Sequence, residues 1–420
     1  MQIIIRNVLV LHSQSDFHQK KVDILIENGV IQDIAPNIEA SADQEIDAEG
    51  AFVAPGFVDI GAFVGDPGLE FREDFESAGK AAAFGGFTTV AIQPNTVPAL
   101  HSKTEVLYVK NKTKNDLVDF LPLGALSHDC KGDNISEMYD MYESGVKAFT
   151  DGVKTVKDSG LMLRALQYVK AFDGLIINHP FEKSVAQGGQ MHEGVMSTSL
   201  GMKGIPSLSE EMMLVRDLYL LEYADGTLHV QNISTARSVD LIRQAKAKGL
   251  RVTASVAAIN LAFDDNSLEN FDTKLKVEPP LRAQSDIEAL KKGLADGTID
   301  SINSNHLPLD EESWNLEFPY AAFGALGLET AVAVANTFSD LSPEQLVEKF
   351  AFAPRRILKQ AIPKIEKGCE ANLTIFNPNT EFIYTEKNIF SKSKNSPFVG
   401  KTLKGKTLAV LNNKKINIAL

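Results

Sequence analysis

Residues 55–68 read Pro-Gly-Phe-Val-Asp-Ile-Gly-Ala-Phe-Val-Gly-Asp-Pro-Gly. This stretch belongs to an apolar, β-rich run, FVAPGFVDIGAFV, and from about residue 53 onward such runs alternate with helical stretches. That alternation implies parallel strands joined by crossover helices. Working outward, eight runs can be placed: the first, then TTVAIQPN, LVDFLPLGALS, VKAFTD, GLIINHP, TLHVQNIS, RVTASVA and DSINSNHLP. The segment after the sixth carries helix signals. Ser234 or Thr235 can cap it, Val239, Ile242 and Ala245 fall on one face, and Gly249 stops it. Eight βα units predict an α/β fold, a (β/α)8 TIM-like barrel over residues 53–365.

The flanks read differently. Residues 1–52 hold short alternating runs around Asn28-Gly29, a hairpin signal, and strand-like alternation returns after about 365 in ANLTIFNPN and KTLAVLNNKKINIAL. The expectation is one composite β-sandwich built from 1–52 and 366–420.

A 420-residue chain with 44% hydrophobic residues has material for a large core plus a smaller domain. Its formal charge of −13 argues against a nucleic-acid or anionic-membrane surface, which would need clustered positive charge. The basic stretch KNIFSKSKNSPFVGKTLKG reads as a solvated loop. Cys130 and Cys369 are the two cysteines, too few for a disulfide framework or a cysteine zinc motif, and a reducing cytoplasm fits. The N-terminus is broken by Arg6 and Asn7, lacks the basic start of a signal peptide and reads as a first strand. No apolar run reaches the roughly 18–20 residues of a membrane span.

Residues 55–68 resemble the dihydroorotase signature Pro-Gly-Phe-Ile-Asp-Leu-His-Val-His-Leu-Arg-Glu-Pro-Gly. The resemblance extends over nearly the whole chain, through GGFTTVAIQPNT at 85–96, KAFTDG at 147–152, IINHPFE at 176–182, LHVQNIST at 228–235, LKVEPPLR at 275–282, DGTIDSINSNHLP at 296–308, FGALGLET at 323–330 and SKSKNSPFVG at 391–400. It implies an amidohydrolase-type barrel of pyrimidine biosynthesis. In that family a divalent metal, normally zinc, lowers the pKa of a bound water and polarises a ring amide, while an aspartate moves the proton.

Carried over by position, the resemblance puts the family's two first-strand histidines at Gly61 and Phe63 and its substrate-gripping arginine at Gly65. The sixth-strand histidine falls at Asn232, the eighth-strand catalytic aspartate at Asn305 and the last histidine of that pattern at Leu309. Glu278 replaces an asparagine, and Ala258-Ile259-Asn260 replace a Pro-His-His run. Asp151, His179, His306 and, at the carboxylate site, Asn95 keep the family identity.

Neither glycine nor phenylalanine has a lone pair to give a cation, and asparagine has the shape of aspartate without its charge. No metal is therefore expected, Asp151 and His179 being the weak candidates, and the two are expected to form a hydrogen-bonded pair. His306 is expected to pack or hydrogen-bond, and Phe63 to fill vacated space. Once cations are absent, clustered carboxylates in a barrel mouth repel, and neutral replacements remove that cost. No nucleophile-elbow pattern supports a serine triad.

The leading expectation is a catalytically inactive relative that acts as a structural partner, as a homo-oligomer or with aspartate carbamoyltransferase, and binds neither nucleic acid nor membrane. The alternatives are a residual or altered cyclic-amide hydrolase and a ligand sensor using the emptied barrel mouth.

Overall fold

The computed structural model describes residues 1–418. Phe57–Ala62 pairs parallel with Phe87–Ile92, and that strand pairs with Asp119–Pro122. A second parallel set runs Gly124–Ala125, Ala148–Thr150, Leu175–Asn178, Leu228–Val230, Val252–Ala257 and Ser301–Asn303. The third run of the sequence joins the two sets, with the Leu123 amide donating to the Ile92 carbonyl at 3.0 Å. The first and eighth runs meet through Asp59, whose carboxylate accepts from the Ser304 amide at 2.6 Å and its hydroxyl at 2.7 Å. The result is an eight-position α/β barrel, as the alternation predicts.

The helix Ala236–Ala247 shows how local sequence fixes its place. Thr235 Oγ1 accepts from the Ser238 amide at 3.0 Å, Val239, Ile242 and Ala245 are buried, and Gly249 ends the segment at φ +83°. The Asn28-Gly29 turn likewise has positive φ at both residues and joins Lys21–Glu27 to Val30–Ala35.

The two ends of the chain share one eight-stranded sheet. Its middle strand, Phe52–Pro55, pairs parallel with Gln2–Val10 and antiparallel with Leu373–Ile383. Side chains from both halves, among them Ile5, Val10, Ile24, Leu373 and Ile375, form one buried cluster separate from the barrel core.

Two expected boundaries shift. The apolar run FVAPGFVDIGAFV is two strands in different sheets, broken at Gly56, so the terminal sheet extends to Pro55 and the barrel begins at Phe57. A side chain at Gly56 would lie 2.0 Å from Thr88 Oγ1 and 2.3 Å from Asn372 Oδ1, so the sheets approach too closely for anything but glycine. The segment 391–398, expected within the sandwich, instead lies on the barrel: Asn395 Nδ2 donates to the Leu307 and Gly324 carbonyls, and Phe398 joins the barrel core.

Candidate functional site at the barrel mouth

In such barrels the residues just past the strand ends line the mouth. Here Gln93, His179, Gln231, Asn232, Glu278 and Asn305 contribute to a cavity of about 220 Å³. Four amide side chains share its lining with His179, His306 and Glu278.

The first-strand position is filled from across the barrel. Gly61 has φ +89°, and a Cβ on it would lie 2.1 Å from Gln231 Nε2. Gln231 is itself buried and directs that nitrogen at the Ile60 carbonyl, 3.4 Å away, while Gln93 Nε2 donates to the Gly61 carbonyl at 2.6 Å. Two glutamine side chains thus brace the strand end against the barrel interior. Phe63 is buried, and its amide donates to the His306 carbonyl at 2.9 Å. It is Gln231, rather than Phe63, that stands where a side chain on residue 61 would begin. At Gly65 the wall is backbone, since a Cβ would lie 2.2 Å from the Leu69 carbonyl oxygen.

Asn232 and Asn305 bond to each other, Nδ2 of the first donating to Oδ1 of the second at 2.9 Å. Asn305 Nδ2 continues the chain to the Glu278 carbonyl at 3.1 Å. Both asparagines hold left-handed backbone, φ 58° and 48°, a conformation asparagine adopts more readily than most side chains. A neutral amide chain therefore links the sixth and eighth strands.

Asp151 and His179 are held apart. Asp151, expected to pair with His179, accepts instead from the Ser127 amide at 2.8 Å and its hydroxyl at 2.6 Å. Burial raises its pKa above the ordinary carboxylate range, although both Ser127 bonds oppose the shift. His179 faces elsewhere, with Nδ1 3.3 Å from the Gln231 carbonyl and Nε2 3.6 Å from Glu278 Oε1. Burial works against its imidazolium, yet Glu278 and that carbonyl outweigh burial and hold the pKa above the usual histidine value. The expected Asp151–His179 pair does not form: Asp151 is satisfied by Ser127, and His179 faces Glu278.

His306 Nδ1 accepts from the Gly327 and Leu328 amides, which leaves the proton on Nε2, 3.4 Å from the buried Glu73 carboxylate. Glu73 also takes the hydroxyls of Ser77 and Ser391. His306 thus ties the cavity lining to the framework. Asn95 is engaged with backbone on both sides, donating to the Asp151 carbonyl at 2.9 Å and accepting from the Val153 amide at 3.0 Å. Leu309 is buried and tied by its backbone to Ser393.

Sequence reasoning did not single out Gln93, Gln231, Glu73 or Ser127. Gln93 does lie within the GGFTTVAIQPNT stretch at 85–96 that carries the resemblance. The reach of Gln231 to the first strand is visible only in three dimensions.

The Dihydro-orotase-like family model matches residues 50–238. A dihydroorotase of Acetivibrio thermocellus is 42% identical over 397 residues, 93% of each chain. Another, of Ruminiclostridium cellulolyticum, is 42% identical over 410 residues, 96% of each. The chain belongs to the dihydroorotase family. The L-hydantoinase (dihydropyrimidinase) of Arthrobacter aurescens shares the fold at a TM-score of 0.86 and 25% identity, covering 100% of this chain and 97% of that one.

Zinc, which the dihydroorotase resemblance implies, finds a poor fit here. Among the described residues no three His, Cys, Asp or Glu side chains gather where they could hold one ion. The Gln231 amide fills the first-strand position, and Asn232 and Asn305 offer only neutral amides there. Among the described residues no helix is long and apolar enough to cross a membrane.

Proposed function

We propose that this dihydroorotase-family protein lacks the family's hydrolytic chemistry and serves as a structural partner in pyrimidine biosynthesis, with aspartate carbamoyltransferase as its partner. The observation that carries the reading is Gln231. Its Nε2 lies 2.1 Å from where a side chain on residue 61 would start, so the position the resemblance gives to the first metal-binding histidine is already taken by a group that binds no zinc. The neutral Asn232–Asn305 chain supports it, because neither amide can act as a general base or help to neutralise a cation. Meanwhile the barrel and the terminal sheet are complete, and a large fold kept in order without its chemistry is suited to contacts. Co-expression with the organism's aspartate carbamoyltransferase, followed by size-exclusion chromatography with light scattering, tests the role. A joint complex at micromolar concentration is expected, and independent migration with unchanged transcarbamoylase activity and stability contradicts it.

A second reading has its own support in the cavity of about 220 Å³ over the His179–Glu278 pair: a mouth that binds a small molecule without turning it over. A thermal-shift screen of pyrimidine intermediates distinguishes it.

A further inference from the structure

Three barrel strands begin around a second cavity, on the face opposite the mouth. Val58, Thr89, Asp119 and Phe120 lie at the starts of Phe57–Ala62, Phe87–Ile92 and Asp119–Pro122, and with Arg355 and Asn372 they line a space of about 270 Å³. The first two strands are six residues long, which separates this cavity from the mouth by roughly 20 Å.

The group that decides its chemistry is Arg355. It stands on the short helix Ala353–Ile357 and is 3% exposed. Its two hydrogen bonds both leave from Nη1, to the Gly56 carbonyl at 2.5 Å and the Ala351 carbonyl at 3.0 Å. Nη1 carries two protons, so both are engaged. The Nε–Nη2 edge, with the other three N–H donors, has no partner among the described residues. A guanidinium edge of this kind takes two oxygens of one anion side by side. The other buried arginine, Arg282, has a carboxylate to answer it, Glu210 at 3.7 Å. Among the described residues Arg355 has none within 4 Å. Burial lowers its pKa to about 10, against the pull of Asp119, and it stays a cation at neutral pH.

The surroundings add positive charge. Lys110 and Lys114 are exposed and line the same cavity, and Lys110 Nζ gives one proton to the Ser144 carbonyl at 2.8 Å. Among the described residues neither lysine has a carboxylate within 4 Å. Asp119 is the one carboxylate in the lining, and its oxygens are taken by Asn412 Nδ2 at 2.9 Å and Asn413 Nδ2 at 2.7 Å. Three cations around one engaged carboxylate make a positive pocket on a chain whose formal charge is −13.

An arginine edge that fixes two oxygens, with two lysines free to take others, suits a tetrahedral oxyanion better than a planar carboxylate. The volume is close to the roughly 300 Å³ at which small-molecule sites begin, and Val58, Phe120, Leu121 and Pro363 give apolar wall beside the charges. We propose that this cavity binds a phosphate group, free or as the monoester of a small metabolite, on the Nε–Nη2 edge of Arg355 with Lys110 and Lys114 as further donors. The site is independent of any chemistry at the mouth.

Isothermal titration of the full chain with inorganic phosphate and with ribose 5-phosphate tests the proposal, with ribose and with sodium chloride at matched ionic strength as controls. One phosphate group per chain is expected, with a higher melting temperature in its presence, and the tighter of the two ligands tells whether free phosphate or a monoester is the source. Ribose and sodium chloride are expected to give no such response. Lys110→Ala and Lys114→Ala together are expected to weaken binding by about tenfold or more, with melting of the free protein unchanged because both side chains are exposed. Arg355→Gln is expected to abolish binding, and if that variant does not fold the lysine pair decides. Bound ligand is also expected to protect Lys110 and Lys114 from acetylation. No binding at millimolar phosphate overturns the proposal, as does a response matched by sodium chloride. Binding that is indifferent to the lysine pair, or that leaves both lysines open to acetylation, places the anion elsewhere and overturns it too.

Discussion

The framework of this barrel and the ends of its first, sixth and eighth strands treat ionisable groups in opposite ways. In the framework, buried ionisable groups are common and partnered. Asp59 holds Ser304, Glu73 faces His306 and two serines, and Arg282 is bracketed by Glu210, Ser234 and the Ile205 carbonyl. At the ends of the first, sixth and eighth strands the corresponding places hold glycine and neutral amides. Buried charge in this chain thus sits beside a protein partner, while the ends of those three strands carry neutral groups. Unanswered carboxylates in a low-dielectric mouth would be costly, and neutral amides carry no such cost.

The framework side breaks most visibly at Arg282. It is 2% exposed, and Arg282→Ala leaves Glu210 buried without its cation, so a loss of about 3–5 kcal/mol is expected in chemical denaturation. A loss under 1 kcal/mol would mean that this interior tolerates unpaired charge and that the contrast is false.

Asp59 gives the contrast a pH signature. Burial pushes its pKa from 3.8 up to about 6, even though Ser304 donates to it twice. The folded state holds that proton more tightly than the unfolded chain, so the contribution is complete below pH 4 and is lost as pH rises through 6. Two units at 1.36 kcal/mol each set its size on the order of 3 kcal/mol. Denaturation of wild type and Asp59→Asn between pH 4 and 7 should therefore show the wild type losing ground to the variant as pH rises. Parallel curves would remove Asp59 as the titrating group.

The mouth is probed by Gly61 and Gln231. Gly61→Ala meets both a left-handed backbone and the Gln231 amide, and a loss of about 1–3 kcal/mol is expected. Gln231→Ala in the same chain should recover part of it, a coupling of about 0.5–3 kcal/mol in a double-mutant cycle. Strict additivity would show that Gln231 does not fill that place. The same geometry bears on restoring the site: Gly61→His, Phe63→His, Gly65→Arg, Asn232→His, Asn305→Asp and Leu309→His together still meet Gln231 and the Leu69 backbone, so Gln231→Ala belongs in the set.

The barrel was legible because strand and helix periodicities are local, as the run of eight and the Thr235 cap show. The break at Gly56 was not, because the run stays apolar across it and only the approach of Thr88 and Asn372 demands glycine. From the resemblance His179, Asn232, Glu278, Asn305 and His306 could be singled out among the residues lining the cavity, whereas Gln93 and Gln231 could not. Its bonding could not. Asp151 turns to Ser127 and His179 to Glu278 according to which partner the fold brings within 4 Å, a matter of tertiary placement.

The central claim, that the mouth has no metal-assisted chemistry, is tested most directly by dihydroorotate turnover of the purified protein at pH 6 to 9, with zinc supplied and bound metal measured in the same sample. The account predicts well under one equivalent of metal and no hydrolysis or cyclisation above background in either direction. Stoichiometric zinc with turnover that disappears in Asp151→Ala or His179→Ala would contradict it.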